Sequence, residues 1–349
     1  MQDLRPGAVI LFGSGETSPS SGKTHEYIAS QLTTPFQINI LETPAGFQPN
    51  SSLVAQEVAD FMALRLQNYA PQIRVIPARQ KGTSFSPDDP QITEPLWDSD
   101  WIFLGPGSPT YAVRQLQYSL AYHILVARHR LGATLMLASA GVLALSAYVL
   151  PVYEVYKAGE DLHWQAGLDF FGAYGLSLVF IPHWNNTDGG VKLDTSHCYM
   201  GKERFQRLVA LLPAGQTIVG LDEHTSLIME LSEGRCRVMG RGGVILLRGV
   251  QEEYFRSGST FPCDALGDFR LPASLDDIPM EIWQQALERR RGRGQPQEVI
   301  PDEVRALVAE RQHARLQKDW ARADQLRAQI ASLGWEVRDT PQGVEIIRK

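Results

Sequence analysis

The stretch LMLASAGVLAL, Leu135 to Leu145, decides the fold. Its opening residues are uniformly apolar, the pattern of a strand buried on both faces. Ser139 ends that run, and AGVLAL continues as a helix. A strand that stops at a serine and turns into a helix is a βα unit. The serine there either caps the helix or stands at the turn as a nucleophile. Nucleophile turns usually carry glycine two places earlier, where this chain has Leu137. Alternate side chains of a strand face opposite layers, so a leucine at that place packs under a helix.

The same grammar extends outward. AVILFG (8–13), INILETP from Ile38, IRVIPA, WIFLGPG and LVFIPHW are short apolar runs, most of them separated by loops and amphipathic stretches. This alternation predicts an α/β fold, a flavodoxin-like three-layer sandwich with a mostly parallel sheet. Ligands of such sheets sit at the carboxyl ends of strands. GSGE after Phe12, GPGS after Leu104, Ser139 after Ala138 and His183 after Pro182 all fall there. From Thr217 the strands become short and closely spaced, a hairpin-rich edge.

Residues 1–255 are therefore expected to form the main domain. Residues 256–300, rich in proline and containing ERRRGRGQPQ, read as a linker. Residues 301–349 form a small module. Its two helices carry apolar stripes at Val304, Leu307 and Val308 and at Ala323, Leu326 and Ile330, and Gly334 caps the second. WEVRD and VEIIR flank the turn TPQG as a β-hairpin.

Composition narrows the class. The chain has 349 residues, 44% hydrophobic and 21% charged, with a net charge of −6, which argues against a general polyanion binder. Cys198, Cys236 and Cys263 are odd in number and form no CxxC pair, which argues against a zinc site or a disulfide framework and for a reducing cytoplasm. The opening MQDLRPGAVILFGSGE lacks the basic start and long apolar core of a secretory signal. The longest apolar run, around Leu135 to Leu150, is broken by Ser139, Gly141 and Ser146, too short for a membrane span. The expected location is cytoplasmic, with no membrane partner. No cofactor and no metal are implied.

A serine hydroxyl attacks a carbonyl only when a base takes its proton, a third group holds the base, and N–H donors receive the oxyanion. Ser139 is the candidate nucleophile and His183, in IPHWNN, the candidate base. Glu154, in PVYEVYK, is the candidate orienting acid, with Asp161 and Asp188 as alternatives. The N–H groups of Gly107, in GPGSPT, and of Ala140 are the candidate oxyanion donors, since Pro106 has none. GSGETS lacks the lysine and spacing of a P-loop, so it reads as a tight turn bordering the crevice. Glu16 is the candidate there for a cationic substrate group, and Ser108 is a second candidate substrate contact. Cys198 lies outside any such turn, which argues against glutaminase chemistry.

IFLGPGS, LASAG, PVYE, IPHW and the later GLDEHTSLIM, taken in order, resemble the dipeptidase E and cyanophycinase family of serine peptidases, over roughly residues 7 to 250. The resemblance implies the class I glutamine amidotransferase-like fold. It implies Ser139 as nucleophile, His183 as general base and Glu154 as the acid, with Gly107 and Ala140 holding the oxyanion. It also implies a small, acidic, peptide-like substrate cleaved at a peptide or isopeptide bond. Leu137, Pro106 and Ser108 depart from the family's usual residues.

KDWARADQLRAQIASLG followed by DTPQG resembles the C-terminal end of cysteinyl-tRNA synthetases. That resemblance implies a link to tRNA through the tail; read from the residues themselves, Lys318, Arg322, Arg327 and Arg338 are the candidate phosphate-backbone contacts. Acidic residues are interleaved among them, and a packing or homodimerisation module is an equal reading. No catalytic or zinc-binding signature of a synthetase is present. The leading expectation is a serine hydrolase. The alternative is a catalytically inactive ligand-binding protein of the same fold whose tail binds tRNA or a protein partner.

Overall fold

A computed structural model of the chain describes residues 5–294, 301–340 and 343–348. They divide into two compact units, Met1–Arg289 and Arg290–Lys349.

The first unit is built on two sheets. Its strands in chain order are β1 (Val9–Phe12), β2 (Gln37–Leu41), β3 (Gln72–Ile76), β4 (Trp101–Leu104), β5 (Thr134–Ala138), the two-residue β6 (Tyr148–Val149) and β7 (Gln165–Ala166), and β8 (Leu178–Ile181). β9 (Thr217–Leu221), β10 (Thr225–Glu230), β11 (Arg235–Gly240), β12 (Gly243–Arg248), β13 (Gln251–Arg256) and β14 (Thr260–Pro262) follow. The larger sheet has the order β14-β11-β10-β1-β5-β4-β2-β3, parallel from β1 to β3 and antiparallel from β10 outward. The smaller has the order β13-β12-β9-β8, with β8 and β9 parallel.

β1, β4 and β5 are buried along their whole length, which is why they read as unbroken apolar runs. Alternate residues serve two different cores. Ile10, Phe12, Phe103, Met136 and Ala138 face helices α1 (Gly22–Ala29) and α2 (Ser51–Arg65) through Ile28, Val58 and Met62. Val9, Leu11, Leu104, Leu135 and Leu137 face the opposite layer. Leu137 is fully buried there in a cluster with Val142 and Leu145, so the leucine in the strand seats the helix that follows it. Phe180, Val219 and Leu221 of the smaller sheet share this core. The three-layer α/β sandwich is as expected, and so are the hairpins after Thr217.

The remaining helices of this unit are α3 (Pro90–Thr93), α4 (Pro109–Leu116), α5 (Leu120–Arg130), α6 (Ala140–Ala144), α7 (Val152–Tyr156), α8 (Gly201–Leu211) and α9 (Met280–Gly294), of which the residues up to Arg289 belong to it. The stretch expected as a linker has structure of its own. β14 pairs with β11, and Ile278, Trp283 and Ala286 are buried in the main core. Its prolines and its arginine run masked a short apolar repeat at Ile282, Trp283, Ala286 and Leu287. Residues 295–300 of that stretch lie outside the described residues.

The second unit holds α10 (Asp302–Leu316), α11 (Trp320–Ser332) and the hairpin of β15 (Trp335–Thr340) and β16 (Gly343–Arg348). Val304, Val308, Ile330, Trp335 and Val337 make its small core, following the stripes read from the sequence. Gly334 takes φ +84°, the left-handed turn that ends the helix. The turn residues Pro341 and Gln342 lie outside the described residues. Among the described residues no helix is long and apolar enough to cross a membrane.

Candidate active site

Ser139 sits between the last residue of β5 and the first of α6, with φ 49° and ψ −108°. A non-glycine residue at such angles is strained, and that strain turns the chain sharply enough to expose the side chain. Its hydroxyl makes no cap to the helix it precedes. Instead Ser139 Oγ lies 3.2 Å from His183 Nε2. α6 can lie against the end of β4 because Gly141 has no side chain. A Cβ there would stand 2.5 Å from the Leu104 carbonyl oxygen.

His183 follows β8 and also has positive φ, 53°. Its backbone N–H donates to the Gly13 carbonyl at 3.0 Å, tying it to the glycine-rich loop after β1. On the far side of the ring, Nδ1 lies 2.9 Å from Glu223 Oε1. A carboxylate only accepts, so Nδ1 carries the proton and Nε2 turns a lone pair to Ser139. Glu223 lies in the short link between β9 and β10. Its Oε1 also accepts from Asn186 Nδ2 at 2.9 Å, and its backbone N–H donates to Asn185 Oδ1 at 2.8 Å. The hydrogen bond from His183, with a second from Asn186, holds this carboxyl below the usual glutamate range against the opposing pull of burial.

Glu154 does not reach the histidine's free nitrogen, which Glu223 occupies. Glu154 Oε1 accepts from Thr110 Oγ1 at 2.5 Å, bridging α7 to the first turn of α4, and its Oε2 has no hydrogen-bond partner. Asp188 accepts from the Tyr199 hydroxyl at 3.0 Å, and Asp161 is exposed. The acid that meets His183 thus differs from the one expected. Its trace in the sequence is its place, two residues past a strand end in GLDEHT, a motif that carries the resemblance but was given no role. Proximity to β8 comes from parallel pairing with β9, which spacing along the chain does not reveal.

A cavity of about 420 Å³ opens over these groups. Gly107, Ser139, Ala140 and His183 line its polar floor, and Leu143 and Val152 with three tyrosines line its walls. Gly107 has φ +150°, and a Cβ there would stand 1.9 Å from the Pro44 carbonyl oxygen. Ala140 opens α6, where an N–H has no acceptor within the helix. Cys198 also borders the cavity, but burial pushes its thiol up to about 12, far from a reactive thiolate.

The two expected substrate contacts stand apart from that lining. Ser108 is buried and caps α4, its Oγ accepting from the Tyr111 N–H at 3.2 Å and bonding Thr110 at 3.1 Å. Glu16 lies on the loop that holds His183. Burial raises its carboxyl above the free glutamate value, with His183 and His224 opposing, which disfavours the charged form that a cationic group would pair with.

Comparison with solved structures places the fold beside a peptidase from an acI-B1 Actinobacterium. The TM-score is 0.59 and the identity 18%, covering 75% of this chain and 98% of that one. Residues 298–346 match the cysteinyl-tRNA ligase anticodon binding domain. The same region is 52% identical over 44 residues to cysteine–tRNA ligase 1 of Burkholderia lata and 53% identical over 47 residues to the cysteine–tRNA ligase of Chlamydia abortus. These matches cover 13% and 14% of this chain and 9% and 10% of those enzymes, so the chain spans about a tenth of the length of the curated relatives it matches.

Proposed function

We propose that the first unit is a serine hydrolase that cleaves a peptide or isopeptide bond in a small substrate. Ser139 is its nucleophile, His183 its base and Glu223 its orienting acid. The observation that carries this reading is the unbroken chain of hydrogen bonds from Ser139 Oγ through both ring nitrogens of His183 to Glu223, anchored on a strained serine. Ser139 Oγ attacks the substrate carbonyl while Nε2 takes its proton. The imidazolium, held by the Glu223 carboxylate, then protonates the leaving amine. Water activated by the same nitrogen releases the acyl group and restores the serine. The N–H groups of Gly107 and Ala140 receive the oxyanion.

Labelling with a fluorophosphonate probe tests this reading against a non-catalytic binding protein of the same fold. Wild type is expected to label and Ser139→Ala is not. Equal labelling of both, or of neither, would count for the binding protein.

The anticodon-domain match supports a second reading, that the C-terminal unit contacts tRNA. Residues 301–349 carry nine Lys and Arg against eight Asp and Glu, so the contact would rest on local placement of charge and weaken steeply with salt. A shift assay with tRNA at low and high salt tests it, and no retardation at low salt would end it.

A further inference from the structure

A second cavity, of about 550 Å³, lies between α1, the end of α2 and β11 with the turn that follows β13. Lys23, Arg65 and Arg237 line it together with the hydroxyl-bearing Ser20, Thr24 and Ser257, and none of its lining residues is acidic. Three cations without a carboxylate in one hollow run against the net charge of −6 that the chain carries as a whole.

The cations are only partly committed. Arg237 lies over the Tyr27 ring, 5.2 Å from its centroid, and its Nε is buried with no hydrogen-bond partner. Among the described residues no carboxylate pairs with Lys23 or Arg237. Arg65 meets Glu26 at 3.1 Å, but both side chains are well exposed, and such a pair is held weakly in water. Glu230, a buried acid that meets the Tyr27 ring's hydroxyl at 2.5 Å, is already taken by Arg235 at 2.7 Å.

We propose that this cleft binds the phosphate groups of a small phosphorylated molecule, at a site separate from the serine. Two guanidinium groups suit the fork geometry of a phosphate, an ammonium adds charge, and the volume is that of a small-molecule pocket.

Calorimetric titration of the full chain with pyrophosphate, and with citrate at matched ionic strength, tests the proposal. Saturable one-to-one binding of pyrophosphate is expected, at least tenfold tighter than citrate. Lys23→Glu, a change at an exposed side chain, and Arg237→Gln should each weaken it at least tenfold, while Ser139→Ala leaves it unchanged. No saturable binding, wild-type affinity in both cleft variants, or citrate binding as tightly as pyrophosphate would overturn it. If Arg237→Gln fails to fold, Lys23→Glu alone decides.

Discussion

Glu223 Oε1 stands 2.9 Å from His183 Nδ1, although forty residues separate the two and they sit at the ends of neighbouring parallel strands. Glu154, closer to the histidine along the chain, is instead bonded to Thr110. Glu223→Gln should therefore slow fluorophosphonate labelling by on the order of 10³, because an amide stabilises the imidazolium poorly and allows the wrong tautomer. Glu154→Gln, which keeps an acceptor for Thr110, should label within about threefold of wild type on the same scale. Reversed ranks for the two variants would return the acid's role to Glu154.

On the proposed role of Ser139, its backbone strain trades stability for chemistry. Glycine tolerates φ 49° and ψ −108° and alanine does not. Ser139→Gly is expected to exceed Ser139→Ala in stability by about 1 kcal/mol, with both inactive. Chemical denaturation of the two variants measures the difference, and equal midpoints would remove strain from the account.

Gly107→Ala tests the floor of the cavity. The new Cβ would press on the Pro44 carbonyl oxygen, which also accepts the Ser108 N–H at 2.9 Å. Relief requires the backbone to move, carrying the Gly107 N–H with it. We expect a loss of about 2 kcal/mol in stability and at least tenfold slower labelling, read on the folded fraction. Wild-type labelling by a stably folded variant would exclude Gly107 as an oxyanion donor.

Acid should destabilise the first unit well above the range where carboxylates titrate. Burial lowers His25 to about 4 and His129 to about 3. His25 stacks against Phe12 and Trp101, and His129 bonds the Tyr174 hydroxyl at 2.8 Å. Below pH 6.5 the unfolded chain binds protons that the folded chain refuses. Stability is thus full above 6.5 and falls as pH drops, each histidine adding about 1.4 kcal/mol per pH unit until its folded value is reached. Melting temperatures between pH 7 and 5 check the sign, and His129→Gln should flatten the slope. A slope unchanged by that variant would exclude His129 as a cause.

The parallel sheet, the strand ends and the positions of Ser139 and His183 were legible because each rests on local pattern: a buried run, a break, a polar residue at the break. Glu223 was not, since its partnership depends on strand pairing across the smaller sheet. Ser108 misled for a related reason. A serine before a helix reads alike whether its oxygen faces a substrate or its own backbone, and here it bonds the Tyr111 N–H. In the supposed linker, proline and arginine content outweighed the few apolar residues that bury α9.

Ser139 ends a strand of the larger sheet, His183 ends a strand of the smaller, and Glu223 lies on the three-residue link where the chain crosses from one to the other. The chain of hydrogen bonds therefore runs over a seam. A shift of one sheet against its neighbour by a fraction of an ångström would part serine from imidazole while the imidazole kept its acid. Packing beneath the seam, at Leu137, Phe180 and Leu221, thereby acts as an alignment device for the hydrogen bonds above it.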